Sequence, residues 1–420
     1  MTVSVFPESR AASVLPRVLF FLFILASFLF YSPAIVGGGE ATGAPDDGGD
    51  TIRQVGFSVM FLSIVLTLLI TRGASELFNV PIALVVLLLW CWLSVAWAID
   101  PGASFRRIAF TSVVVLGIVY SVSMMDDASV ISIIGLCFAL VLMADWAAMA
   151  ALPQAVHPPA DLEFEAAGGA WRGIHLHRNA AGAFGALAAL YFLHLLFAGR
   201  RRAVAAVFLA LSVGFLFFTG SKTSNGVVGV AAAAALLFGY GYRYPVVRKV
   251  LSIWALGLVL VALFELEDYL PDVLAFLEDP RALTGRTQIW EMLVEYAEDH
   301  LLLGSGYGSF WAIGNASPVN ALGKAWYSTL NVGHNGYLDL LVQTGAVGLA
   351  IAVAALVAHP MYLLFTREIR PHMRWFLGAI FTFFWLHNLT ETSLLDRANF
   401  VWVVPLSALC ILVRQSKGSP

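Results

Sequence analysis

The chain is built around apolar runs of roughly 17–23 residues, the length an α-helix needs to cross the hydrocarbon core of a bilayer. They fall near 15–35, 55–71, 78–97, 105–124, 129–150, 179–198, 203–220, 223–240, 248–266, 335–358, 373–389 and 398–414. Once water is excluded, every backbone N–H and C=O must find a partner inside the protein, which favours helices for such runs. Composition points the same way. The chain is 60% apolar and 12% charged, whereas soluble domains run at about 45–50% and about 25%. The pattern predicts an all-α integral membrane protein with about 12 transmembrane helices and one large, partly helical outer loop. The first run, Val14 to Ile35, has the look of a signal peptide, but so many comparable runs follow that an uncleaved first span is expected.

Short basic loops favour the cytoplasm. With the N-terminus inside, Arg200-Arg201-Arg202, then Arg243, Arg248 and Lys249, then Arg367, Arg370 and Arg374, and finally Arg414 and Lys417 all fall on the cytoplasmic side. The outer loops 36–54, 151–178 and 267–334 are longer and more mixed in charge. The chain therefore divides into helices 1–9 over 1–266, a large outer loop over 267–334, and helices 10–12 with a short tail over 335–420. Within the loop, Ile289, Met292, Leu293 and Tyr296 recur at helical spacing and predict an amphipathic helix. No internal repeat is evident, which argues against a secondary transporter built from inverted repeats. Cys91, Cys137 and Cys410 lie far apart in apolar runs, so neither a disulfide framework nor a zinc site follows.

Ionisable groups are costly near a bilayer and become informative when several share one level. Those that stand out here all belong to the outer face: Arg106 and Arg107; Arg172, His175, His177 and Arg178; Lys222; Arg286; His334; and His387, Asn388 and Glu391. Each also has a plain structural reading. Arg106 and Arg107 suit headgroup contact as well as substrate contact, and His175 has no partners at metal-ligand spacing. Lys222 sits in the tight turn GSKTS, which holds its ammonium near the hydrocarbon boundary. The glycines of GSGYGSFW (304–311) permit close approach of a ligand. Tyr307, Phe310, Trp311 and Trp326 suit either stacking on sugar rings or anchoring at headgroups. Arginine and lysine at this depth match the phosphates of a diphosphate-linked lipid. A histidine with an ordinary pKa near 6.5 can take a proton from a hydroxyl. Together these describe glycosyl transfer from a lipid carrier, with no carboxylate pair of the kind hydrolases use.

The motifs WAIDPGASFRR (97–107), RGIHLHRNAAG (172–182), TGSKTS (219–224), GRTQIW (285–290), LLGSGYGSFW (302–311), HNGYLDLLVQTGAVGL (334–349) and NLTETSLL (388–395) occur in an order that resembles the bacterial O-antigen ligase and polysaccharide polymerase superfamily. The likeness is greatest to its exopolysaccharide-polymerase-like branch. It implies a metal-independent, inverting glycosyltransferase of the bacterial inner membrane, with its active site and large loop facing the periplasm and no cofactor. The implied donor is a glycan on undecaprenyl diphosphate, and the acceptor a further glycan or lipid A-core. The bilayer and the polysaccharide export machinery are the expected partners, and no nucleic acid is. By position in the motifs, His334 takes the acceptor-side histidine role, while Lys222 and Arg286 take the diphosphate-binding role. Arg172, His177, Arg178, Asn179, Asn335, Tyr337 and Glu391 are implied to line the substrate. Arg178 departs from a His-Lys-Asn pattern, keeping the charge but changing the donor geometry. Polymerase and ligase remain two readings of one resemblance, and a flippase or transporter is a third reading from topology alone.

Overall fold

A computed structural model of the chain describes residues 10–29, 51–157, 168–244, 246, 249, 286–321 and 330–416. The described residues form helices and connecting turns, with a single isolated bridge pairing Val156 and Trp171. The main helices are α1 (Arg10–Leu29), α2 (Thr51–Arg72), α3 (Ile82–Leu93), α4 (Pro101–Ser123), α5 (Asp127–Ala151), α6 (Arg178–Phe197), α7 (Arg202–Phe218) and α8 (Lys222–Arg243). They continue with α9 (Arg286–Asp299), α10 (Gly336–Val353), α11 (His359–Thr366), α12 (Pro371–His387) and α13 (Phe400–Ser416). Eleven of the apolar runs coincide with these helices; the ninth, 248–266, lies outside the described residues apart from position 249, as does Trp326. Among the described residues, six helical segments are long and apolar enough to cross a membrane by length and composition. The loop helix forms where the periodicity placed it: in α9, Ile289, Met292, Leu293 and Tyr296 are all buried.

Small residues let the central helices approach closely. A Cβ on Gly182 of α6 would lie 2.5 Å from the side chain of Ser221, just before α8. One on Gly378 of α12 would lie 2.7 Å from the Phe238 ring of α8. Around these contacts a continuous core runs from Phe20 and Phe23 of α1 to Trp402 of α13. At one end of the bundle Arg17 pairs with Asp126 at 3.8 Å, and Arg414 pairs with Asp127, joining α1, the α4–α5 turn and the end of α13. Arg286, His334 and Glu391 come together at the opposite end.

The tenth apolar run reads as one helix in sequence but is broken. Gly345 has φ 69° and ψ 179° inside α10, and beyond Val353 a π-helical turn, Ala354–Ala358, leads into α11. The cause is the glycine-rich segment after α9, which lies against the break. Ala346 N–H donates to Leu301 O (2.7 Å), Ser305 N–H donates to Val342 O (2.9 Å), and Trp90 Nε1–H donates to Thr344 O (3.1 Å). Groups released by the kink thus regain partners, as a low-dielectric setting requires. A Cβ at Gly345 would sit 2.0 Å from Leu302 O. Gly345→Ala is therefore expected to lower the thermal unfolding midpoint of the detergent-solubilised protein, at a cost of more than about 1 kcal/mol. An unchanged midpoint would mean that this close approach is dispensable.

Candidate active site

Five segments meet at the end of the bundle that carries His334. They are the turn before α6, the GSKTS turn into α8, the start of α9, the residues entering α10, and the loop between α12 and α13. The last of these loops is built on Asn388. Its Oδ1 accepts from Ser393 N–H (2.8 Å) and Leu394 N–H (3.0 Å), and its Nδ2 donates to Phe384 O (2.8 Å). Gly336 N–H reaches into the same loop, donating to Asn388 O (2.9 Å) and Glu391 O (3.0 Å). A Cβ at Gly336 would stand 2.3 Å from Asn388 Oδ1, so only glycine lets α10 begin this close to the loop.

Glu391 is the centre of the cluster. Its Oε1 is 2.5 Å from Arg286 Nη2, and its Oε2 is 3.4 Å from His334 Nδ1. Arg286 Nη1 also donates to Thr390 O. Burial by itself would raise the Glu391 pKa. The His334 hydrogen bond and the nearby Arg286, His387 and His334 outweigh it and bring the carboxyl down to about 2. His334 is the more open partner, with a side chain 33% exposed against 11% for Glu391 and Arg286. Its φ of 50° lies in the left-handed region, which non-glycine residues occupy at a cost and which is often found at functional sites. A carboxylate on Nδ1 orients the imidazole and leaves Nε2 to accept a proton, a chemically competent acid–base arrangement.

A second carboxylate fixes this pair. Asp339, 2% exposed, accepts from Trp311 Nε1–H (2.7 Å), from Gly333 N–H (3.1 Å) and from Thr392 Oγ1. Gly333 precedes His334 and Thr392 follows Glu391 in sequence, so one carboxylate secures both loops that carry the pair. Asp339, Thr390 and the ring of Trp311 had no signal in the sequence beyond being polar or aromatic. Asp339 lies one turn into an apolar helix, and its role depends on chain distant in sequence.

The other expected site residues divide in two. Lys222 is exposed at the start of α8, and the adjacent Thr223 Oγ1 lies 2.9 Å from Thr390 Oγ1, bringing the GSKTS turn to the Arg286–Glu391 loop. Arg178 faces Arg286 and Glu391, and its Nη1 is 4.0 Å from where a Gly220 Cβ would be. Four others use their polar atoms in scaffolding. Asn335 caps α10, accepting from Tyr337 N–H and Leu338 N–H (both 3.1 Å). Tyr337 Oη donates to Trp385 O (3.0 Å), tying α10 to α12. Arg172 donates to Gln154 O (2.7 Å) and Leu176 O (3.3 Å) within its own loop. His177 Nδ1 accepts from Asn179 N–H (3.2 Å) at the N-terminus of α6, while His157 Nε2 accepts from Arg178 N–H (3.1 Å). The His177 ring is exposed, yet desolvation by the protein around it, with the neighbouring His157 next, pushes it down to about 4, so it caps the helix as a neutral acceptor near pH 7. Asn179 itself is partly buried in the first turn of α6.

Two expectations are corrected. Tyr307, Phe310 and Trp311 are buried, so they neither stack on sugars nor anchor at headgroups; they pack the glycine-rich segment onto α4, α9 and α10. The glycines there serve contact between protein segments rather than ligand approach: a Cβ on Gly304 would meet Val342 O at 2.7 Å, and one on Gly308 the Arg107 side chain at 2.9 Å. Arg107 donates to the carbonyls of Gly308, Trp311 and Ala312 at 2.6–2.8 Å, which gives it a structural role. His175, left without a role by the sequence, is a buried partner of Asp145 at 3.2 Å.

Residues 205–353, which contain Lys222, Arg286, His334 and Asp339, match the family described as O-Antigen ligase. The chain is O-antigen ligase-like over this segment. A curated relative, "Exopolysaccharide production protein ExoQ" of Rhizobium meliloti (strain 1021), is 31% identical over 146 residues. That alignment covers 33% of this chain and 33% of the relative, about a third of each. Glu391 lies outside the family match, so its place between Arg286 and His334 is a finding of the tertiary structure.

Two tests follow from this geometry. Asp339→Ala strands the Trp311, Gly333 and Thr392 donors, and buried unsatisfied groups cost about 1–3 kcal/mol each. A lower unfolding midpoint and faster proteolysis of the 330–335 and 388–396 loops are expected. For Glu391, the pKa falls from about 4.3 unfolded to about 2 folded. Its stabilisation is therefore complete above the unfolded value and disappears as pH falls through the folded one. The stability difference between the wild type and Glu391→Gln should not fall between pH 8 and about 5 and should shrink below about 4.3. A difference already fading at pH 6 would contradict the Arg286–Glu391–His334 arrangement.

Proposed function

We propose that the protein is a metal-independent, inverting glycosyltransferase acting on the periplasmic face of the bacterial inner membrane. It transfers a glycan from undecaprenyl diphosphate to an acceptor hydroxyl. The observation that carries this reading is the sharing of Glu391 by His334 and Arg286 beside the Lys222 turn. His334 Nε2 takes the acceptor proton while Glu391 holds Nδ1. The acceptor oxygen attacks the anomeric carbon from the face opposite the leaving group, and the carbon–oxygen bond to the diphosphate breaks. Lys222 and the N–H groups of Arg286 that Glu391 leaves free meet the charge developing on that diphosphate. Glu391 thus belongs with the acid–base group rather than with substrate contact alone.

The preferred substrate assignment is polymerisation of exopolysaccharide or O-antigen repeat units, supported by the likeness to an exopolysaccharide production protein. The second assignment is ligation of finished chains to lipid A-core or protein, supported by the O-Antigen ligase description of the matched family. Deleting the gene and identifying what accumulates separates them. Single-repeat polysaccharide marks a polymerase, long chains left on the carrier mark a ligase, and units trapped on the inner leaflet mark a flippase. His334→Ala should abolish transfer by at least about 100-fold, the lower range for acid–base groups, while the protein still accumulates in the membrane. Lys222→Arg should retain more activity than Lys222→Ala, as read by polymer yield in cells making only the variant. Normal polymer from His334→Ala would end the proposal.

A further inference from the structure

A cavity of about 680 Å³ lies at the end of the bundle away from His334. It opens between the start of α5, the end of α6, the start of α7 and the start of α12. α6 carries Arg178 at the site end and Phe197 at the cavity end, so the two regions stand about 28 Å apart by helix rise. No step of the proposed transfer uses this cavity.

Its chemistry is two-sided. Arg200, Arg201 and Arg370 line it, and among the described residues none of the three has a carboxylate at ion-pair distance. The acid that lines it, Asp127, is already taken by Arg414 and by Gln415 Nε2 (2.8 Å). The arginine turn is held in a specific shape, with Gly199 at φ 71° and Arg201 at φ 48°. Deeper in the cavity, His194 is 4% exposed and its Nδ1 has no partner. The remaining wall is apolar, and at the edge Leu136, Phe197 and Val204 are 50%, 62% and 52% exposed. A cationic rim with a buried polar group beneath it, continuous with an apolar surface facing the bilayer, suits a ligand with an anionic head and hydrocarbon tails. Basic pockets between transmembrane helices bind phospholipid headgroups in this way.

We propose that this cavity binds an anionic phospholipid from the leaflet at that end, its phosphate held by Arg200, Arg201 and Arg370 and an acyl chain lying along the α5–α7 wall. The site is independent of the glycosyl-transfer reading, since no residue of the His334 cluster lines it.

The test uses the full chain in detergent, titrated with phosphatidylglycerol and followed by native mass spectrometry and thermal unfolding. Phosphatidylcholine and inorganic diphosphate serve as controls. Saturable binding of phosphatidylglycerol with a raised midpoint is expected, without either effect from the controls. The double variant Arg200→Gln/Arg370→Gln should bind on the order of tenfold or more weakly, while Arg200→Lys/Arg370→Lys stays close to wild type. Both variants should keep wild-type glycan transfer, which separates this result from any failure of the His334 assignment. Equal phosphatidylglycerol affinity in the glutamine variant, equal binding of phosphatidylcholine, equal loss in the lysine variant, or displacement of the lipid by diphosphate would each overturn the proposal.

Discussion

The structure depends on backbone hydrogen bonding between two chain segments that interrupt each other. The stretch 301–309 has no helix of its own, and α10 has a break at Gly345; each supplies what the other lacks. Leu301 O and Ser305 N–H complete the bonds of the broken helix, and Arg107 collects the carbonyls of Gly308 and, just past the stretch, of Trp311 and Ala312. In an environment poor in water, unpaired groups of this kind cost several kcal/mol each. The mutual pairing therefore fixes the glycine-rich segment on the helices, and with it Trp311, which reaches Asp339.

From Asp339 the constraint passes to the polar cluster. One carboxylate, Asp339, holds the approach to His334 and the exit from Glu391, while the other carboxylate, Glu391, carries the charge pair. The two acids have different work because their partners differ. Asp339 meets neutral donors on segments that must be held still. Glu391 meets a guanidinium and an imidazole, and these keep it ionised. A buried pair of this kind is sensitive to loss of either partner, at about 3–5 kcal/mol, which joins the stability of the loop to its chemistry.

The two ends of the bundle show contrasting uses of arginine. At the site end, Arg107, Arg172 and Arg286 are engaged by carbonyls or a carboxylate and build structure. At the other end, Arg200, Arg201 and Arg370 surround open volume. Sequence alone separates the two groups by side, through the short basic loops, but not by what their guanidinium groups meet.

Apolar run length alone determined the helical membrane architecture, since few other folds satisfy the backbone over twenty apolar residues. The 3.6-residue period of Ile289, Met292, Leu293 and Tyr296 likewise foretold α9 and its buried face. Their shared level at the outer face brought His334, Arg286, Lys222 and Glu391 to notice, and motif order implied roles for them. Only the tertiary structure decided that Glu391 joins Arg286 to His334 across 105 and 57 residues of chain. It also decided that Asp339 clamps both loops, that Asn335 and His177 cap helices, and that Tyr307 and Trp311 face inward. The reason is physical. Helix formation and membrane insertion are read from neighbours within a few turns, whereas the partner of a buried polar atom is set by which distant segments pack together.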